Sequence, residues 1–544
     1  MIENGQILVV DNHHGYLHAV AETLREEGYT VFTAENEQQA EAILERNNIN
    51  LAVIDLRLAD NNSEADESGL ALADRMDPHI AKFIYTAYYD ARKFRNRPEN
   101  TWYLDKTQDP ETLIGEVNRV FQDVLINPLE IEETAGVSLE QFLLQVEDFQ
   151  DLPDEQLHLL IPEFKELLSK LFQRATKIRV SFLQPGRSGA GVMLACPFYN
   201  EVEGTEVVVK FGLRQQIMHE VSLYRRYAEP FVRVKSTQLI GSVRRTRHLA
   251  GALFLFVGMA DAHTHDFATA YRSGMLNSLT IPVVIENLFF DSCKLWYSAK
   301  RPWDLQKDID TLAESYQKQL GLDQREGWRK VQNGLAGLLG HWQGFVFERE
   351  AAGALTFRRP LNGPSQTLVD PVWFVENHAD QLPEPHFWAI THGDLNSRNV
   401  FIDHKNTVWL IDFSRTGWGP ALRDAAELEA AVKFELIGVS DLGQRLLFED
   451  VLTQATTFDD PLELPSQLAE APPFLHARDA VRAIRYAAGK IAETEDMSHY
   501  NTGLLFYALK VMPWQKHALD GVDYAVRQRH ALYAAARLCE KILA

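Results

Sequence analysis

Cysteine is scarce in this chain of 544 residues. Its three cysteines, Cys196, Cys293 and Cys539, lie far apart, and none of them belongs to a CxxC pair. Because disulfide frameworks and cysteine zinc sites need cysteines in paired or closely spaced patterns, neither is predicted. The composition favours a reducing, cytoplasmic setting.

Basic residues are also few. The chain has 54 Lys and Arg against 76 Asp and Glu, which gives a net charge of −22. This balance argues against the broad basic surface that nucleic-acid binding requires. A local basic stretch runs from Arg225 to Arg247. We expect a solvated surface there, with docking of an acidic partner as the alternative.

Long apolar runs are absent. The longest, Leu249–Ala260, has 12 residues, whereas a membrane helix needs about 20. The first residues lack the basic region of a secretory signal. We therefore expect no membrane partner and a cytoplasmic protein. With 46% hydrophobic residues and about 150 residues per domain, the chain is expected to form three to four folded units.

The first 124 residues repeat a strand-helix pattern five times. Compact apolar runs such as ILVV and LAVI alternate with segments whose apolar residues recur at helical spacing. Five such units predict a doubly wound parallel sheet. Functional groups gather at the carboxyl ends of the strands in sheets of this kind.

Four chemically matched residues follow those strands: Asp11, Asp55, Thr86 and Lys106. Carboxylates can share a divalent cation, while a lysine and a hydroxyl can bind a phosphate. The segments VVDN, VIDLRLAD, YTAYYD and LDK resemble the receiver domain of bacterial response regulators in two-component signalling. The resemblance implies a flavodoxin-like fold over residues 1–124.

The receiver resemblance also implies a role for each residue. Asp55 would be the phospho-acceptor, with a sensor histidine kinase as phosphodonor, and Asp11 and Asp55 would ligate the metal. Thr86 and Lys106 would form the switch pair. Receivers usually carry two consecutive acids after the first strand, but the second position here is Asn12. We therefore expect weaker metal binding, and phosphorylation of Asp55 stays an open question.

Residues 125–177 connect this region to the rest of the chain. Leu and Phe recur there at intervals of three and four residues in otherwise polar segments. This spacing predicts two or three amphipathic helices. We expect them to pack on their neighbours in the chain, with the seam of a homodimer as the alternative. Their position suggests that they transmit a signal.

A glycine-rich segment follows the connector, and its glycines and serine are Gly186, Ser188, Gly189 and Gly191. Backbone amides of such a loop can cradle phosphates, although a tight turn without a ligand has the same composition. Lys210 lies in the apolar run VVVKFG, and Glu220 follows ten residues later in a helical segment. A lysine-glutamate pair is typical of kinases. Gly258–Ala260 is a candidate hinge.

The most specific signal lies between residues 391 and 413. The segment THGDLNSRNVFI places Asp394 five residues before Asn399, and Asp412 follows a second short strand in VWLIDF. This spacing and order match the catalytic loop and the DFG aspartate of kinases. Phosphoryl transfer needs an aspartate to orient the attacking hydroxyl, plus an Asn and an Asp to hold magnesium. These three residues are the candidates for those roles.

Protein kinases have the sequence HRD at the start of this catalytic loop, whereas this chain has HGD at residues 392–394. In this respect the region resembles the aminoglycoside phosphotransferase and choline kinase branch of the kinase-like fold. The resemblance implies a two-lobed domain, with an N-lobe over residues 178–262 and a large, mostly helical C-lobe over residues 263–544. It implies ATP and Mg²⁺ as cofactors, a catalytic loop at 391–400 and a metal-binding IDF segment at 411–413. Lys210, Glu220 and the loop Gly186–Gly191 would bind ATP, and Asp394 would be the catalytic base.

Two further segments bear on the site. RTGWGPALRDAAELEAAVKFEL also resembles a bacterial phosphotransferase family described as ternary-complex-associated. Asp424 in it would either anchor the catalytic loop or be an exposed acid at the start of a helix. The residues from 261 to 390 are rich in tryptophan and helical spacing. We expect these residues to pack in the core, and the alternative is that they shape a pocket for the acceptor.

Together the motifs predict a receiver-regulated, ATP- and Mg²⁺-dependent phosphotransferase that acts on a hydroxyl of a small molecule. A nucleotide-binding pseudokinase scaffold that signals through partners is one alternative, and a protein Ser/Thr kinase is another.

Overall fold

The computed structural model describes most of the chain, and its coverage is as follows: residues 5–60, 63, 65–87, 100–108, 110–121, 129–133, 136–150, 152–182, 189–232, 236–255, 264–304, 310–350, 353–360, 365–384, 386–515 and 521–543. The chain forms two compact units. The first comprises residues 1–219 and 239–255, and the second comprises residues 220–238 and 256–544. Gly186, Ser188 and the candidate hinge at Gly258–Ala260 lie outside the described residues.

The first unit begins with a five-stranded parallel sheet in the order β2-β1-β3-β4-β5. Its strands are β1 (Gln6–Val10), β2 (Thr30–Ala34), β3 (Leu51–Ile54), β4 (Ala81–Thr86) and β5 (Thr101–Asp105). Its helices are α1 (His14–Glu26), α2 (Glu37–Arg46), α3 (Ser68–Arg75) and α4 (Pro110–Val120). The predicted parallel five-stranded sheet is confirmed. The helix expected after β4 would fall within residues 88–99, outside the described ranges.

Both faces of this sheet are buried, which explains why its strands read as continuous apolar runs. Alternate residues of β1 enter two separate cores. Ile7 and Val9 pack in a core that includes Phe121, whereas Leu8 and Val10 pack in a core that includes Leu72. The helices on both sides hold the strand ends in place.

The rest of the first unit is a mainly antiparallel sheet in the order β11-β12-β10-β8-β7-β6, with β9 beside β8. Its strands are β6 (Glu130–Glu133), β7 (Lys177–Phe182), β8 (Gly191–Tyr199), β9 (Val202–Glu203), β10 (Val207–Leu213), β11 (Gln238–Arg245) and β12 (Leu249–Leu255). Its helices are α5 (Leu139–Leu143) and α6 (Asp154–Leu171), with a short turn of helix at Glu147–Phe149 between them. Helix α7 (Arg214–Leu223) follows β10 and runs from the first unit into the second.

The connector is part of this sheet and its core. Phe142 and Phe164 of the connector helices share a core with Val180 and Phe211 of the strands, so the apolar stripe is buried within the unit. The predicted helices are confirmed as α5 and α6, but Glu130–Glu133 at the start of the connector forms a strand that pairs in parallel with β7. The alternation of apolar Leu129 and Ile131 with glutamates has the period of a strand rather than of a helix.

The second unit is mostly helical. Its helices are α8 (Glu229–Val232), α9 (Phe267–Arg272), α10 (Thr280–Asn287), α11 (Lys294–Ser298), α12 (Leu312–Leu320), α13 (Arg325–Leu338), α14 (Pro371–His378), α15 (Arg423–Ala431), α16 (Leu442–Gln454), α17 (Ser466–Ala469), α18 (Pro472–Ala492), α19 (Ser498–Val511) and α20 (Tyr524–Leu543). π-helical turns extend three of the helices at Tyr224–Ala228, Leu288–Ser292 and Val432–Leu436. No helix in the described ranges combines the length and apolar character that crossing a bilayer requires.

Three small sheets complete the second unit, and their strands are β13 (His265–Asp266), β14 (Arg301–Pro302), β15 (Gly340–Trp342), β16 (Phe345–Arg349), β17 (Ala354–Arg358), β18 (Ser365–Val369), β19 (Phe387–Thr391), β20 (Val400–Ile402), β21 (Val408–Leu410) and β22 (Gly417–Pro420). The sheet β15-β16-β17-β18 corrects the helical expectation for this part of the chain. There, Gln343 and Gly344 form a two-residue turn that ends the helical pattern and starts a hairpin.

Candidate functional site

The carboxyl edge of the parallel sheet brings together the four residues that the sequence singled out. Asp11 follows β1, Asp55 follows β3, Thr86 ends β4 and Lys106 follows β5. The ammonium group of Lys106 donates to Asp11 Oδ2 at 2.6 Å and to Asp55 Oδ1 at 2.7 Å. The side chain of Thr86 is buried at the same edge, and its carbonyl accepts the backbone N–H of Lys106 at 3.0 Å.

Burial and charge act against each other in this cluster. Burial raises the pKa of Asp55, and although Lys106 lowers it, the pKa stays above the usual value. Burial by itself would lower the pKa of Lys106, but the charges of Asp55 and Asp11 outweigh it and raise the pKa. Lys106 is therefore held as a cation between two carboxylates, where it can pair with added negative charge on Asp55.

The Asn12 amide changes how this edge can hold a cation. Its Nδ2 donates to the carbonyl oxygens of Arg57 at 3.0 Å and Leu58 at 3.1 Å. Mg²⁺ prefers carboxylate and carbonyl oxygens, so the facing carboxylates of Asp11 and Asp55 fit the ion. The amide engages the nearby carbonyl oxygens and supplies no negative charge. Weaker metal binding stays our prediction for this site.

Sequence reasoning missed one residue that shapes this edge, Gly69. It is the second residue of α3, and its N–H donates to the carbonyl of Leu56 at 3.0 Å. A Cβ at this position would lie 1.8 Å from the carbonyl oxygen of Asp55. Any side chain here would therefore displace the backbone that carries the candidate phospho-acceptor.

In the second unit, short strands carry the HGD loop and the IDF segment. β19 ends at Thr391 immediately before His392, and β21 ends at Leu410 immediately before Ile411. Ile411 N donates to the carbonyl of Asn399 at 3.1 Å, and a ring nitrogen of His392 lies 2.9 Å from the carbonyl oxygen of Ile411. These two contacts tie the segments together.

Asp424 anchors the HGD loop. Its side chain is fully buried. Oδ2 accepts the backbone N–H of His392 at 2.7 Å and the hydroxyl of Tyr297 at 2.8 Å, while Oδ1 accepts the N–H of Gly393 at 2.9 Å. The interpretation of Asp424 as an anchor is confirmed, and the alternative of an exposed acid is wrong.

The glycine of the HGD sequence is required by the fold. Gly393 has a φ of +81°, and a Cβ there would lie 2.2 Å from the carbonyl oxygen of Arg415. An L-residue such as the arginine of HRD would be strained in this conformation and would collide with that backbone.

Asp394 is held by two amides at the tip of this loop. Asn399 Nδ2 donates to the Asp394 carbonyl at 2.8 Å and to its Oδ2 at 3.1 Å, and Asn396 Nδ2 donates to the same Oδ2 at 3.1 Å. The Asn399 side-chain oxygen is then the atom of its amide that can ligate a cation. Asp412 follows Ile411 with a φ of +63°, the left-handed region that is uncommon for such a residue.

A buried carboxyl that sequence reasoning missed lies in the field of Asp394. Burial, together with the negative charge of Asp394, raises the pKa of Glu427 to about 8, although Lys510 acts to lower it. Glu427 Oε2 accepts the hydroxyl of Tyr507 at 3.2 Å. Asp424 and Glu427 are three residues apart on α15 and so share a face of that helix, a spacing that could have identified Glu427.

Oxygen ligands for magnesium are present, but a cluster of three is not. In the described part of the chain, no group of three or more His, Cys, Asp or Glu side chains is placed to hold a metal ion. Mg²⁺ is commonly held by one or two protein carboxylates together with substrate phosphates and water. Asn399 and Asp412 fit that mode of binding, which stays a prediction.

The candidate nucleotide residues fall in both units. Lys210 lies in β10 between Val192 and Ala252, and it is buried. Gly189 precedes β8, and Gly191 is the first residue of that strand. Glu220 lies in α7, is buried as well, and belongs to the second unit. Pairing of Lys210 with Glu220 and binding of ATP by these residues stay predictions.

Comparison with known proteins assigns families to two segments. Residues 7–118 match the response regulator receiver domain, and residues 359–513 match Ternary complex associated domain 9. A curated relative, the alginate biosynthesis transcriptional regulatory protein AlgB of Pseudomonas aeruginosa, is 42% identical over 60 residues, which are 11% of this chain and 13% of that protein. The match therefore spans a small part of the relative's length.

Solved response regulators match the same N-terminal part. A response regulator from Thermotoga maritima is 25% identical, with 22% of this chain and 97% of that chain covered and a TM-score of 0.19. A CheY-like receiver domain protein from Methanospirillum hungatei JF-1 is 24% identical, with 22% and 93% covered and a TM-score of 0.19.

The N-terminal domain is therefore a response regulator receiver domain of bacterial two-component signalling. The second match extends over the HGD loop, the IDF segment and Asp424, in agreement with the ternary-complex-associated resemblance of the sequence. The kinase-like fold of residues 178–544 stays a prediction.

Proposed function

We propose that this protein is a receiver-regulated phosphotransferase that moves the γ-phosphate of ATP to a hydroxyl group of a small molecule. The geometry around Asp394 carries the proposal. Two amides orient its carboxylate, Asp424 anchors its loop, and Asn399 links that loop to the segment that carries Asp412. Positioning of this kind supplies most of the catalysis in phosphoryl transfer.

In this mechanism Asp394 orients the acceptor hydroxyl and takes its proton. The hydroxyl oxygen forms a bond to the γ-phosphorus while the bond from that phosphorus to the ADP oxygen breaks. Asn399 and Asp412 would hold magnesium, which, when bound, neutralises charge on the phosphates. Lys210 and the backbone at Gly189 and Gly191 would contact the phosphates of ATP.

The raised pKa of Glu427 fits the role proposed for Asp394. Burial and the negative charge of Asp394 both favour the protonated form of Glu427. It then adds no second negative charge beside Asp394, which would otherwise repel the phosphates of the substrate.

Control by the receiver is supported by contacts within the first unit. Arg214 at the start of α7 pairs with Asp77 of the receiver, and Arg247 donates to the carbonyl of Glu45. Asp77 precedes β4 and Glu45 lies in the last turn of α2, so both contacts are away from the edge that carries Asp55. We propose a sensor histidine kinase as phosphodonor to Asp55. Phosphorylation of Asp55 can change phosphotransferase activity only by as much as it stabilises one conformation of the protein over another.

Transfer of labelled phosphate tests the proposal. The full chain is incubated with γ-labelled ATP, Mg²⁺ and a pooled metabolite extract, alongside Asp394→Asn and Asp412→Asn. We expect label in a metabolite with the unmodified chain and at least a hundredfold less with either variant. Asp380→Asn, an exposed acid in the same unit, is the matched control and should retain full transfer.

The same assay separates two alternatives. The family description of a ternary-complex-associated domain favours a scaffold that binds nucleotide and partners without turnover. ATP binding by calorimetry with no transfer in any extract would support that scaffold and contradict the enzyme. Label on protein hydroxyls, with none in metabolites, would indicate a protein Ser/Thr kinase.

A further inference from the structure

A large pocket in the second unit lies among helices α12, α13 and α20 and the end of α19. Its volume is about 810 Å³, which lies within the range of about 300–1,000 Å³ of small-molecule sites. Of its described lining residues, three are basic, Lys330, Lys510 and Arg529, and one, Glu326, is acidic. The pocket is therefore a cationic site in a chain whose net charge is −22.

Arg529 is the strongest indication of an anionic ligand. Its side chain lines the pocket although the residue is only 8% exposed. Nη1 donates to the carbonyl of Ala525 at 3.2 Å, and over the described ranges Nε has no hydrogen-bond partner and the guanidinium joins no ion pair. The charge of Asp523 acts on this guanidinium but does not outweigh its burial, so a bound anion would lower the cost of burying it.

Two tryptophan rings make cation–π contacts with the basic side chains of the pocket. The Arg529 guanidinium carbon lies 4.6 Å from the ring centroid of Trp342, and the Lys510 ammonium lies 5.9 Å from that of Trp514. Both tryptophans line the pocket. Lys510, like Arg529, joins no ion pair in the part of the chain that the structure describes. The rings fix the cations without neutralising them.

The pocket adjoins the HGD loop. Gln319 Nε2 donates to the carbonyl of Gly393 at 2.8 Å, and the next residue, Leu320, lines the pocket. Gln319 Nε2 also donates to the hydroxyl of Tyr507 at 3.3 Å, and the Lys510 ammonium lies 6.0 Å from the centroid of the Tyr507 ring. These contacts place Lys510, which lines the pocket, close to the loop that carries Asp394.

We infer that this pocket binds the acceptor and selects one that carries an anionic group, a phosphate or a carboxylate. The inference rests on the proposed function, because it names the substrate class of the same site. Arg529 forms hydrogen bonds to the anionic oxygens, as a planar guanidinium does to phosphate and carboxylate. Lys510 adds a second positive charge, and the tryptophans contact the body of the molecule.

Fractionation before the transfer assay tests this substrate class. The metabolite extract is separated on an anion exchanger, and each fraction is offered to the full chain with γ-labelled ATP and Mg²⁺. We expect the acceptor in the retained fraction. Label that appears only in compounds from the flow-through would overturn the inference while leaving the phosphotransferase intact. Comparing phosphatase-treated and untreated retained material distinguishes a phosphate from a carboxylate.

Variants test the residues. We expect Lys510→Gln and Arg529→Gln each to raise the KM for the acceptor at least tenfold, with kcat changed less than threefold and the KM for ATP unchanged. Arg329→Gln, an exposed arginine on α13 outside the lining, is the matched control. Unchanged KM values in both pocket variants would overturn the inference. If the melting curve shows that Arg529→Gln does not fold, the KM of the acceptor with Lys510→Gln tests the inference by itself.

A binding measurement separates failure of this inference from failure of the enzyme. Inorganic pyrophosphate is titrated by calorimetry into the full chain after saturation with a non-hydrolysable ATP analogue and Mg²⁺. Binding that both pocket variants weaken at least tenfold would establish the anion site even if no fraction accepts label. No binding of pyrophosphate, together with no labelled anion, would overturn the inference.

Discussion

Replacing Asp424 with asparagine would weaken the anchor of the HGD loop. The carboxylate accepts three buried donors, the N–H groups of His392 and Gly393 and the hydroxyl of Tyr297. Asparagine has nearly the same shape as aspartate but has one acceptor oxygen where aspartate has two. Its amide nitrogen would therefore face one of the three donors, which would lose its hydrogen-bond acceptor.

The size of the effect follows from those contacts. A hydrogen bond to a charged group contributes about 1.5–3 kcal/mol, and a buried donor left without a partner costs about 1–3 kcal/mol. Asp424→Asn loses one bond and the charge behind the other two. We expect the unfolding free energy of the second unit to fall by about 3 kcal/mol, and phosphoryl transfer to fall at least tenfold because the loop positions Asp394.

Urea unfolding and amide hydrogen exchange measure this directly. Exchange at His392 and Gly393 should accelerate more than exchange in distant helices. The matched control is Asp403→Asn, whose carboxylate accepts the N–H groups of Lys405 at 2.8 Å and Thr407 at 2.9 Å in a solvent-exposed turn. Since water can replace those bonds, the control should lose only about 0.5 kcal/mol. Equal losses in the two variants, or unchanged exchange at the loop, would refute the anchor.

Three more outcomes follow from single positions. Gly69→Ala should destabilise the receiver by about 2–3 kcal/mol, since its Cβ would meet the Asp55 carbonyl. In thermal melts, Gly115→Ala, which has open space in α4, should leave the receiver as stable or more so. Asn12→Asp should raise the Mg²⁺ affinity of the receiver at least tenfold, since it adds a carboxylate beside Asp55. Calorimetry that shows equal affinity would contradict this. Burial lowers the pKa of His530 to about 4, below the ordinary value of about 6.5. The unfolded chain then binds more protons between these values, so stability should fall by up to about 3 kcal/mol as the pH drops from about 6.5 to 4. A His530→Gln variant with the same slope in urea titrations would disprove that origin.

The receiver could be predicted almost completely from the sequence. Its strands are short apolar runs with two buried faces, and parallel strands place their carboxyl ends at one edge. Asp11, Asp55 and Lys106 therefore had to meet, and the structure brings them within hydrogen-bond distance. Gly69 escaped notice because its importance lies in the backbone of Asp55, which packs against it only after folding.

The second unit was only partly predictable. Asp394 and Asn399 are only five residues apart, so the motif predicts that their side chains meet within one loop. The structure has this contact, from Asn399 Nδ2 to Asp394 Oδ2. The strand at Glu130–Glu133 and the sheet over residues 340–369 were missed. Short strands carry weak periodic signals, and their pairing partners are decided by the tertiary structure.

By itself, the order of residues determined the local chemistry of this protein: an acid at each of two strand ends, a lysine at a third, and an aspartate and an asparagine on one short loop. Tertiary structure alone decided what surrounds that chemistry. It placed Asp424 in contact with the backbone of the HGD loop, the carboxyl of Glu427 within the field of Asp394, and the guanidinium of Arg529 in a pocket. Burial and charge pairing depend on neighbours distant in the chain, so a local pattern could suggest Asp424 as an anchor but could not establish the contacts that make it one.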